Sequence, residues 1–294
     1  MQLIQTLING FLVGSLYGCV AVGFSLVWGV SNIINLGHGL FVILGAYITF
    51  WLFNLYNIDP FLTIPVSAAA MFIIGFLIQK YLLNYVMGQT HGTGLGVFLS
   101  MILTFGLARI LENAMVLMWT GDWRSVTTIY TGHSFQVGGL TFPYIRIAVF
   151  FIALIISWLL SVFLNKSRTG MAIRAATFNL EGAQIVGIDP ARIYCITFAV
   201  GAALAGIAGS LVSLIYSFSP FHSVPYLSWA FVIVVIGGLG SIFGAVIGGV
   251  FLGIIEALTT VYIGPGYQQA VGFIILVLLL VFRPQGLFGK KFLK

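Results

Sequence analysis

The 294-residue chain is 60% hydrophobic and only 6% charged, with a mean hydropathy of +1.13. This composition excludes an ordinary soluble globular protein and indicates an integral membrane protein. The net charge of +6 is the balance of 12 basic and 6 acidic residues. The basic residues lie mainly between apolar runs, so they predict membrane orientation rather than nucleic-acid binding. Cys19 and Cys195 both fall within apolar runs and indicate no disulfide framework.

Apolar runs close to the roughly 20 residues needed to cross a bilayer recur along the whole chain. They predict membrane segments near Ile4–Trp28, Leu40–Tyr56, Phe61–Gln79, Gly96–Met118, Ile145–Leu164, Ile193–Tyr216, Tyr226–Ile236, Ser241–Val261 and Tyr267–Phe282. The first lacks the positive start of a signal peptide and is expected to be retained. The sequence thus predicts one all-α domain over residues 1–294, a polytopic integral membrane helix bundle of about eight or nine segments with broken or re-entrant pieces. Residues 226–261 fit either a re-entrant hairpin or two crossings.

The basic residues predict the orientation of the bundle. If the loop at residues 165–192 is cytoplasmic, counting crossings leaves only Arg124 and Arg146 outside. The basic residues placed inside are Lys80, Lys166, Arg168, Arg174, Arg192, Arg283, Lys290, Lys291 and Lys294. Because basic loops stay in the cytoplasm, we expect the N-terminus outside and the C-terminus inside.

Small residues recur at every fourth position in three segments. They are Gly10, Gly14 and Gly18 in the first, Gly201, Ala205 and Gly209 in the sixth, and Gly249 and Gly253 in the eighth. In lipid, this spacing lets helix backbones approach closely. The pattern predicts helix–helix contacts on these faces.

Two interruptions, Ser31–Gly39 and Gly237–Ser241, separate neighbouring apolar runs. Broken segments in two halves of a membrane protein indicate a transport pathway, because free backbone groups there must line protein or a cavity. Plain tight turns at the membrane surface would give the same pattern. Ser241 is expected to cap the helix that follows it. The candidate pathway residues in the breaks are Asn35, His38, Gly237, Gly238 and Ser241.

Three charged residues, Arg109, Glu112 and Glu256, lie well inside predicted membrane segments, and each should face the bundle interior or water. Arg109 and Glu112, at i and i+3 on one helix, are predicted to neutralise each other as a structural pair. Glu256 has no partner nearby in sequence and is a candidate pathway or gate residue, although a hydrogen-bonded structural role fits equally well. No phosphate-binding loop, HExxH motif or Cys/His cluster with metal spacing is present in the sequence, so neither an enzyme nor a metal site is predicted.

The stretch Asn165–Arg192 is the place where charge gathers between two long apolar runs. Gly170 and Gly187 bracket a predicted short helix, and Asp189 with Pro190 starts the next one as N-cap and N1. Its polar side is Arg174, Thr177, Glu181 and Gln184, and its apolar side is Met171, Phe178 and Ile185. Such a segment is either an amphipathic helix at the membrane surface or a docking helix that enters a groove of a soluble partner.

Six motifs occur in an order that resembles the branched-chain amino acid permease family of ABC importers, in the shorter of its two permease subunits. They are NIINLGHG (32–39), RTGMAIRAATFNLEGAQIVGID (168–189), TFAVGAALAGIAG (197–209), GGLGSIFGAVIGG (237–249), GIIEAL (253–258) and RPQGLFG (283–289). The resemblance implies a bacterial inner-membrane protein that pairs with a second permease, either a related chain or a second copy, and with two cytoplasmic ATPase subunits and a periplasmic binding protein. It also implies that ATP is bound by those partners, with no cofactor on this chain. The segment at 174–187 would be the coupling helix, with Arg174, Phe178, Glu181, Gly182, Ile185 and Gly187 at the ATPase.

The chain departs from the family at two positions. Leu40 follows the His-Gly pair where many members carry Glu, and Trp229 stands where some carry Lys. Losing both signs of charge makes the pathway less suited to a zwitterion held by charge. The resemblance implies branched-chain or other hydrophobic amino acids as the default substrate, and the family also carries urea, short amides and aromatic or dicarboxylic acids. An autonomous channel or secondary transporter for a small solute such as urea or an amide is the alternative function.

Overall fold

The computed structural model describes residues 1–87 and 93–288. Within these ranges nine helical spans are long and apolar enough to cross a membrane. The helices are α1 Gln2–Ser31, α2 His38–Tyr56, α3 Pro60–Leu77, α4 Asn84–Met87, α5 Gly94–Trp119, α6 Tyr144–Lys166, α7 Arg168–Phe178, α8 Leu180–Ile185, α9 Pro190–Ile215, α10 Ser223–Gly237, α11 Ile242–Tyr262 and α12 Gln268–Phe282. The prediction of an all-α, polytopic membrane protein is confirmed.

The long helix α1 forms the centre of the bundle. Almost all of its residues beyond the first two turns are buried, and it packs mainly against α11, α9, α10 and α6. The helices α2 and α3 cover the other side of α9, while α5 and α12 lie at the perimeter with few buried residues. The helix that is apolar on all sides is therefore the one that other helices surround, as burial of apolar surface requires.

Glycines allow the two central pairs of helices to touch, as the four-residue spacing predicts. A Cβ on Gly14 would lie 2.6 Å from Val250 Cα, and one on Gly10 would lie 2.7 Å from Ile254 Cα, both on α11. A Cβ on Gly209 would meet the backbone of α2 at Val42. Since neighbouring backbone occupies these spaces, the predicted helix–helix faces are confirmed.

The third membrane segment is longer than predicted. It does not end at Gln79 but continues through a π-helical segment, Ile78–Leu83, into α4. Gln79 is buried and its side-chain N–H donates to Asn84 Oδ1 at 2.8 Å, while Asn84 Nδ2 donates to Cys195 Sγ of α9 at 3.2 Å. The loss of hydrophobicity after Ile78 therefore marks the end of the apolar run and not the end of the helix.

A small antiparallel hairpin between α5 and α6 was not predicted. Its strands are β1 Ser134–Val137 and β2 Leu140–Pro143, joined by Gly138 and Gly139. Both glycines have positive φ, 59° and 80°, which is the two-residue turn that suits the twist of a hairpin. Gln5 and Thr141 exchange two hydrogen bonds of 2.8 Å, which hold the hairpin beside the start of α1.

The hairpin α10–α11 crosses the bundle. The turn between the two helices packs against Gly29 near the C-terminal end of α1, and α11 then follows α1 back to Gly10. With the 3₁₀ turn Pro220–His222 that precedes it, α10 is also long and apolar enough for a span. Its first residue, Ser223, packs against Gly39 at the start of α2, so both interpretations of residues 226–261, a re-entrant hairpin and two crossings, stay open.

The basic residues separate to the two ends of the bundle. Arg124 and Arg146 lie at the end that carries the hairpin. The described basic residues of the opposite end are Lys80, Lys166, Arg168, Arg174, Arg192 and Arg283. Gly289 of the last motif and the predicted inside residues Lys290, Lys291 and Lys294 lie outside the described residues. We call the second end the basic end.

Candidate functional site

The first predicted break is a loop that returns into the bundle. Asn32, in left-handed conformation with φ 51°, ends α1, and the chain turns back so that α2 begins beside the middle of α1. His38 Nε2 donates to Val20 O at 2.8 Å, because a carbonyl oxygen can only accept. The Asn35 side chain is buried and accepts from the Gly37 N–H at 3.0 Å. Both predicted residues are therefore held within the loop and its contact with α1.

Trp229 lies in a cluster of tyrosines next to this contact. Its indole stacks on Tyr17 at 4.0 Å between ring centroids, with Tyr226 5.2 Å away edge-on and Tyr216 6.3 Å away. The Tyr17 and Tyr216 hydroxyls are 3.3 Å apart. Tyr17 is three residues from Val20 on α1, so His38 and Trp229 attach to the same part of that helix. Sequence reasoning missed the tyrosines, because they come from different elements and share no local spacing.

Glu256 shares a small cavity with Trp229. The cavity measures about 10 Å³, room for roughly one water molecule, and Ser228 and Gln269 also line it. Glu256 is 3% exposed. Its Oε2 atom and the Trp229 Nε1 atom form no hydrogen bond of normal geometry among the described residues, although the Glu256 carboxyl lies near both the Tyr17 hydroxyl and the Trp229 indole. Because buried polar atoms without partners are unfavourable, this pair is chemically suited to hold a water molecule or a polar group of a solute.

The second predicted break lies elsewhere. Gly237, Gly238 and Ser241 form the turn at the basic end, against Gly29, about 18 Å along α1 from Tyr17 at helical rise. The structure does not bring these three residues together with His38, Trp229 and Glu256. The Ser241 side chain accepts from Gly244 N at 3.0 Å, so the predicted cap of α11 is confirmed.

The C-terminal segment explains why α10 ends in glycines. The N–H groups of Leu287 and Phe288 donate to the carbonyls of Ile236 and Gly237, at 2.8 and 3.2 Å. Gly238 has φ 95°, which ends the helix and directs the chain away from its axis. The last carbonyls of α10 can therefore accept hydrogen bonds from residues 287 and 288. The motif GGLGS thus forms a tight turn whose free backbone groups are satisfied by the chain itself.

The ion pair of α5 is formed as predicted, with Arg109 Nη2 2.9 Å from Glu112 Oε2. The two side chains differ in environment: Glu112 is 10% exposed, whereas Arg109 is 44% exposed on the outer side of α5. An arginine at the centre of a membrane helix costs about 2.5–3.5 kcal/mol when it must face lipid. The exposed position of Arg109 is therefore unexpected from the sequence.

The loop at 165–192 contains two helices where one was predicted. Ser167 caps α7 by accepting from Gly170 N at 2.8 Å, so Gly170 lies inside the first turn and does not mark its border. Asn179 is extended, with φ −154°, and its side chain accepts from Gly182 N at 2.9 Å to start α8. An Asn side chain can replace a helix carbonyl as the acceptor for a backbone N–H group, which ends one helix and starts the next. The polar residues from Arg174 to Gln184 keep helical spacing across this break, so the sequence pattern predicted a single helix.

The end of α8 follows the predicted chemistry. Gly187 has φ 85°, and the N–H groups of Gly187 and Ile188 donate to Gln184 and Ala183 carbonyls at 3.0 Å, which is the usual way that glycine closes a helix. Asp189 accepts from Ala191 N at 3.0 Å, so its prediction as N-cap of α9 is confirmed. The two helices and this junction form what we call the α7–α8 unit, residues 168–188.

Large apolar side chains are exposed on the α7–α8 unit. Phe178 is 74% exposed, Ile185 85% and Val186 74%, and Met171 is 47% exposed. They lie on two helices rather than on one face of one helix. Among the polar members, Arg174 Nη1 donates to Asn165 Oδ1 at 2.9 Å, while the Glu181 side chain is exposed.

A larger cavity, about 470 Å³, opens between α2, α3 and α5 near the end that carries the hairpin. Its walls are almost wholly apolar and include Tyr47, Trp51 and Trp119. It shares no residue with the predicted site. In the described part of the chain, no group of His, Cys, Asp and Glu residues is placed to hold a metal ion.

Comparison with known proteins identifies the family. The sequence matches the family described as branched-chain amino acid transport system / permease component over residues 6–281. It is 30% identical to the high-affinity branched-chain amino acid transport system permease protein BraD of Pseudomonas aeruginosa, over 98% of this chain and 96% of that protein. The permease protein LivH of Escherichia coli is 30% identical, over 99% of this chain and 96% of LivH.

The longer permease protein LivM of Escherichia coli is 27% identical, over 92% of this chain but only 67% of LivM. No solved structure matches the chain. The nearly complete coverage of BraD and LivH agrees with the resemblance to the shorter of the two permease subunits. The chain therefore belongs to the permease component family of branched-chain amino acid transport systems.

Proposed function

We propose that the chain is the membrane-spanning permease subunit of an ATP-driven importer for branched-chain or other hydrophobic amino acids. It pairs with a second permease and two cytoplasmic ATPase subunits in a bacterial inner membrane, and a periplasmic binding protein delivers the solute. ATP is bound and hydrolysed by the ATPase subunits, so this chain is not an enzyme and carries no cofactor. The N-terminus lies outside and the C-terminus lies in the cytoplasm.

The observation that carries this proposal is the α7–α8 unit in a chain of this family. It presents large apolar side chains outside the apolar helix bundle, at the end where most basic residues gather. A surface of this kind suits the groove of a soluble subunit, which would cover Ile185 and Val186 and leave Arg174 and Glu181 at the rim. A channel or secondary transporter has no need of such a docking element.

The proposed pathway passes the middle of α1. There, the aromatic rings of Tyr17, Trp229 and Tyr226 offer apolar contact, and the cavity with Glu256 offers polar groups. Leu40 is 1% exposed and packed within the core, and Trp229 brings an indole where some relatives have an amine. These residues favour a solute recognised by its apolar side chain. Selection among amino acids rests on the binding protein.

Reconstitution tests the function directly. The permease, its ATPases and the second permease in liposomes should accumulate leucine, isoleucine or valine only when binding protein and ATP are both supplied. Downhill movement of urea or an amide through this chain alone would contradict the importer proposal. The binding protein, screened against amino acids, should prefer the solute that is accumulated.

Cysteine labelling tests the proposed orientation. A cysteine placed at Ser125, exposed near the hairpin end, should react with an impermeant thiol reagent added to intact cells with a permeable outer membrane. A cysteine at Thr177, exposed on the α7–α8 unit, should react only after the cells are opened. Both variants are made in a background in which Cys19 and Cys195, which are buried, are replaced by serine. The reverse labelling would contradict both the orientation and the cytoplasmic position of the unit.

Substitution of Glu256 tests the pathway. Glu256→Gln and His38→Ala should each reduce uptake by roughly tenfold or more, since one removes a buried carboxyl and the other a buried hydrogen bond near Trp229. His38→Gln keeps a side-chain N–H donor and should retain more uptake. Asp122→Asn changes an exposed carboxylate that is distant from both Glu256 and His38 in the sequence, and it serves as the matched control. Normal uptake in the Glu256 and His38 variants would leave both residues with structural roles only.

A further inference from the structure

The apolar cavity of about 470 Å³ between α2, α3 and α5 opens at the side of the bundle. Leu55 of α2 and Val66 of α3 are its most exposed lining residues, at 65% and 49%. Both lie on helical spans that are long and apolar enough to cross a membrane, so this opening faces the hydrocarbon of the bilayer. The volume is within the usual range of sites that hold small-molecule ligands. A hydrocarbon chain can therefore enter the cavity from the membrane.

Three aromatic residues of the cavity wall place it near the membrane surface. Tyr47 stacks on Trp119 at 4.6 Å between ring centroids, and the Trp51 ring is 6.3 Å from that of Trp119. Trp51 lies in the last two turns of α2, and Trp119 is the last residue of α5. Tryptophan and tyrosine are enriched at the level where acyl chains meet head groups. The cavity is therefore positioned to hold a molecule that has both an apolar and a polar part.

Arg124 adds a positive charge beside this wall. Its Nη2 donates to Trp119 O at 2.6 Å, and its guanidinium lies 5.3 Å from the centroid of the Trp51 ring. Asp122, the acidic residue nearest in sequence, accepts from the Thr120 hydroxyl at 2.6 Å. Within the described ranges Arg124 forms no ion pair, and its buried Nε atom has no hydrogen bond. Its charge is thus left to be balanced by another molecule.

Two donors of the same wall also lack a hydrogen bond of normal geometry among the residues that the structure describes. They are the Tyr47 hydroxyl and the Trp51 Nε1 atom, both buried, and the Tyr47 hydroxyl lies near the Arg124 guanidinium. Buried donors without acceptors are unfavourable, so a molecule that supplies acceptor oxygens here is stabilised. An apolar cavity beside one cation and two donors fits an amphiphile with an anionic, oxygen-rich head.

We propose that this cavity binds an anionic phospholipid, with one acyl chain between α2, α3 and α5 and the phosphate at Arg124. Arginine suits a phosphate because its planar group of N–H donors matches the phosphate oxygens and is weakly hydrated. The chain leaves the cavity between Leu55 and Val66 towards the bilayer. The bound lipid fills the space between α5 and the pair α2–α3, and so supports a helix that has few buried residues of its own. This site does not depend on the importer function proposed above.

Native mass spectrometry of the full-length permease tests the role of the charge. The protein in detergent is offered equal amounts of phosphatidylglycerol and phosphatidylcholine, and it should retain phosphatidylglycerol in preference. Arg124→Gln should lower this preference about fivefold, the effect of one basic residue near a charged membrane surface. Arg124→Lys should keep most of it. Arg146→Gln is the matched control, because it removes the other positive charge of the hairpin end from α6, outside the cavity. Equal retention of the two lipids, or the same loss in Arg146→Gln, would overturn the proposal.

Photolabelling in the complete importer tests the position of the chain. Phosphatidylglycerol with a diazirine on one acyl chain, in vesicles of phosphatidylethanolamine and phosphatidylglycerol, should label the peptide that contains Val66. Leu52→Trp fills the cavity and should remove most of this label, while label at Ile155, 53% exposed on α6, should not change. Label at Val66 that persists in Leu52→Trp would contradict an acyl chain in the cavity.

A benzophenone amino acid at Leu55 separates lipid from protein as the occupant. In membranes that contain the complete importer, this probe should give lipid adducts, identified by peptide mass spectrometry. A product with another subunit, or with a second copy of this chain, would show that protein covers the opening and would refute the lipid site. The outcome is independent of uptake, so an importer that transports normally but gives only the protein product keeps its function and loses this site.

Discussion

Replacing Ile185 with Asp is expected to abolish uptake while the permease remains folded and inserted in the membrane. Ile185 is 85% exposed at the end of α8 and contributes little to the packed core, so its loss should not unfold the chain. In the proposed ATPase groove it would be covered. Truncating one partner of a buried charge pair typically costs about 2–5 kcal/mol, and an inserted charge without a partner should cost no less. Even the lower value weakens binding roughly thirtyfold.

The measurement is the amount of ATPase that co-purifies with the permease, together with uptake and permease abundance in membranes. Phe178→Asp should behave in the same way, and Arg174→Ala, at the proposed rim, should lose less binding and depend on salt. Gln184→Asp is the matched control, because it places the same charge on the neighbouring exposed residue. It should retain far more ATPase than Ile185→Asp. If both Asp variants at Phe178 and Ile185 keep the ATPase and transport continues, the α7–α8 unit is only a surface element.

Local chemistry was sufficient to predict the membrane helices and two of the helix caps. The apolar runs gave the membrane segments to within a few residues at most ends. Asp189 and Ser241 were predicted as caps because their side chains accept backbone N–H groups within two or three residues, a strictly local interaction. The glycine stripes predicted which faces touch, since only small side chains permit that approach.

Features that depend on long-range contacts were missed. The loop that returns from α1 is fixed by His38 reaching Val20, and the end of α10 is fixed by Leu287 reaching Ile236. Neither pairing leaves a periodic signal in the sequence. The same is true of Tyr17, which meets Trp229 across two helices. Hence the sequence identified His38, Trp229 and Glu256 one by one, but it did not predict that they lie around the middle of α1 or that Gly237 lies apart from them.

The contact between α1 and α11 gives the largest expected effect on stability. A Cβ on Gly249 would lie 2.7 Å from Gly14 O and closer still to the Gly18 backbone. These neighbours are backbone atoms of a helix, which cannot rotate away as a side chain can. A residue larger than glycine must therefore push α11 away from α1, around which the bundle is packed. We expect Gly249→Leu to cost at least about 3 kcal/mol, the upper part of the usual range for overpacking.

The expected result is a strong loss of Gly249→Leu from the membrane fraction and a clearly lower thermal midpoint of whatever protein remains in detergent. Gly249→Ala should lower the abundance and the thermal midpoint by a smaller amount, because even a single methyl group meets backbone atoms of α1. Gly266→Ala is the matched control: a Cβ there meets nothing within 4 Å in the described part of the chain, so its abundance and midpoint should equal those of the unsubstituted permease. If Gly249→Leu is as abundant and as stable as the control, α1 and α11 are not in backbone contact. The pathway around Tyr17, Trp229 and Glu256 would then lose the support on which its geometry depends, since α1 and α11 carry two of these three residues.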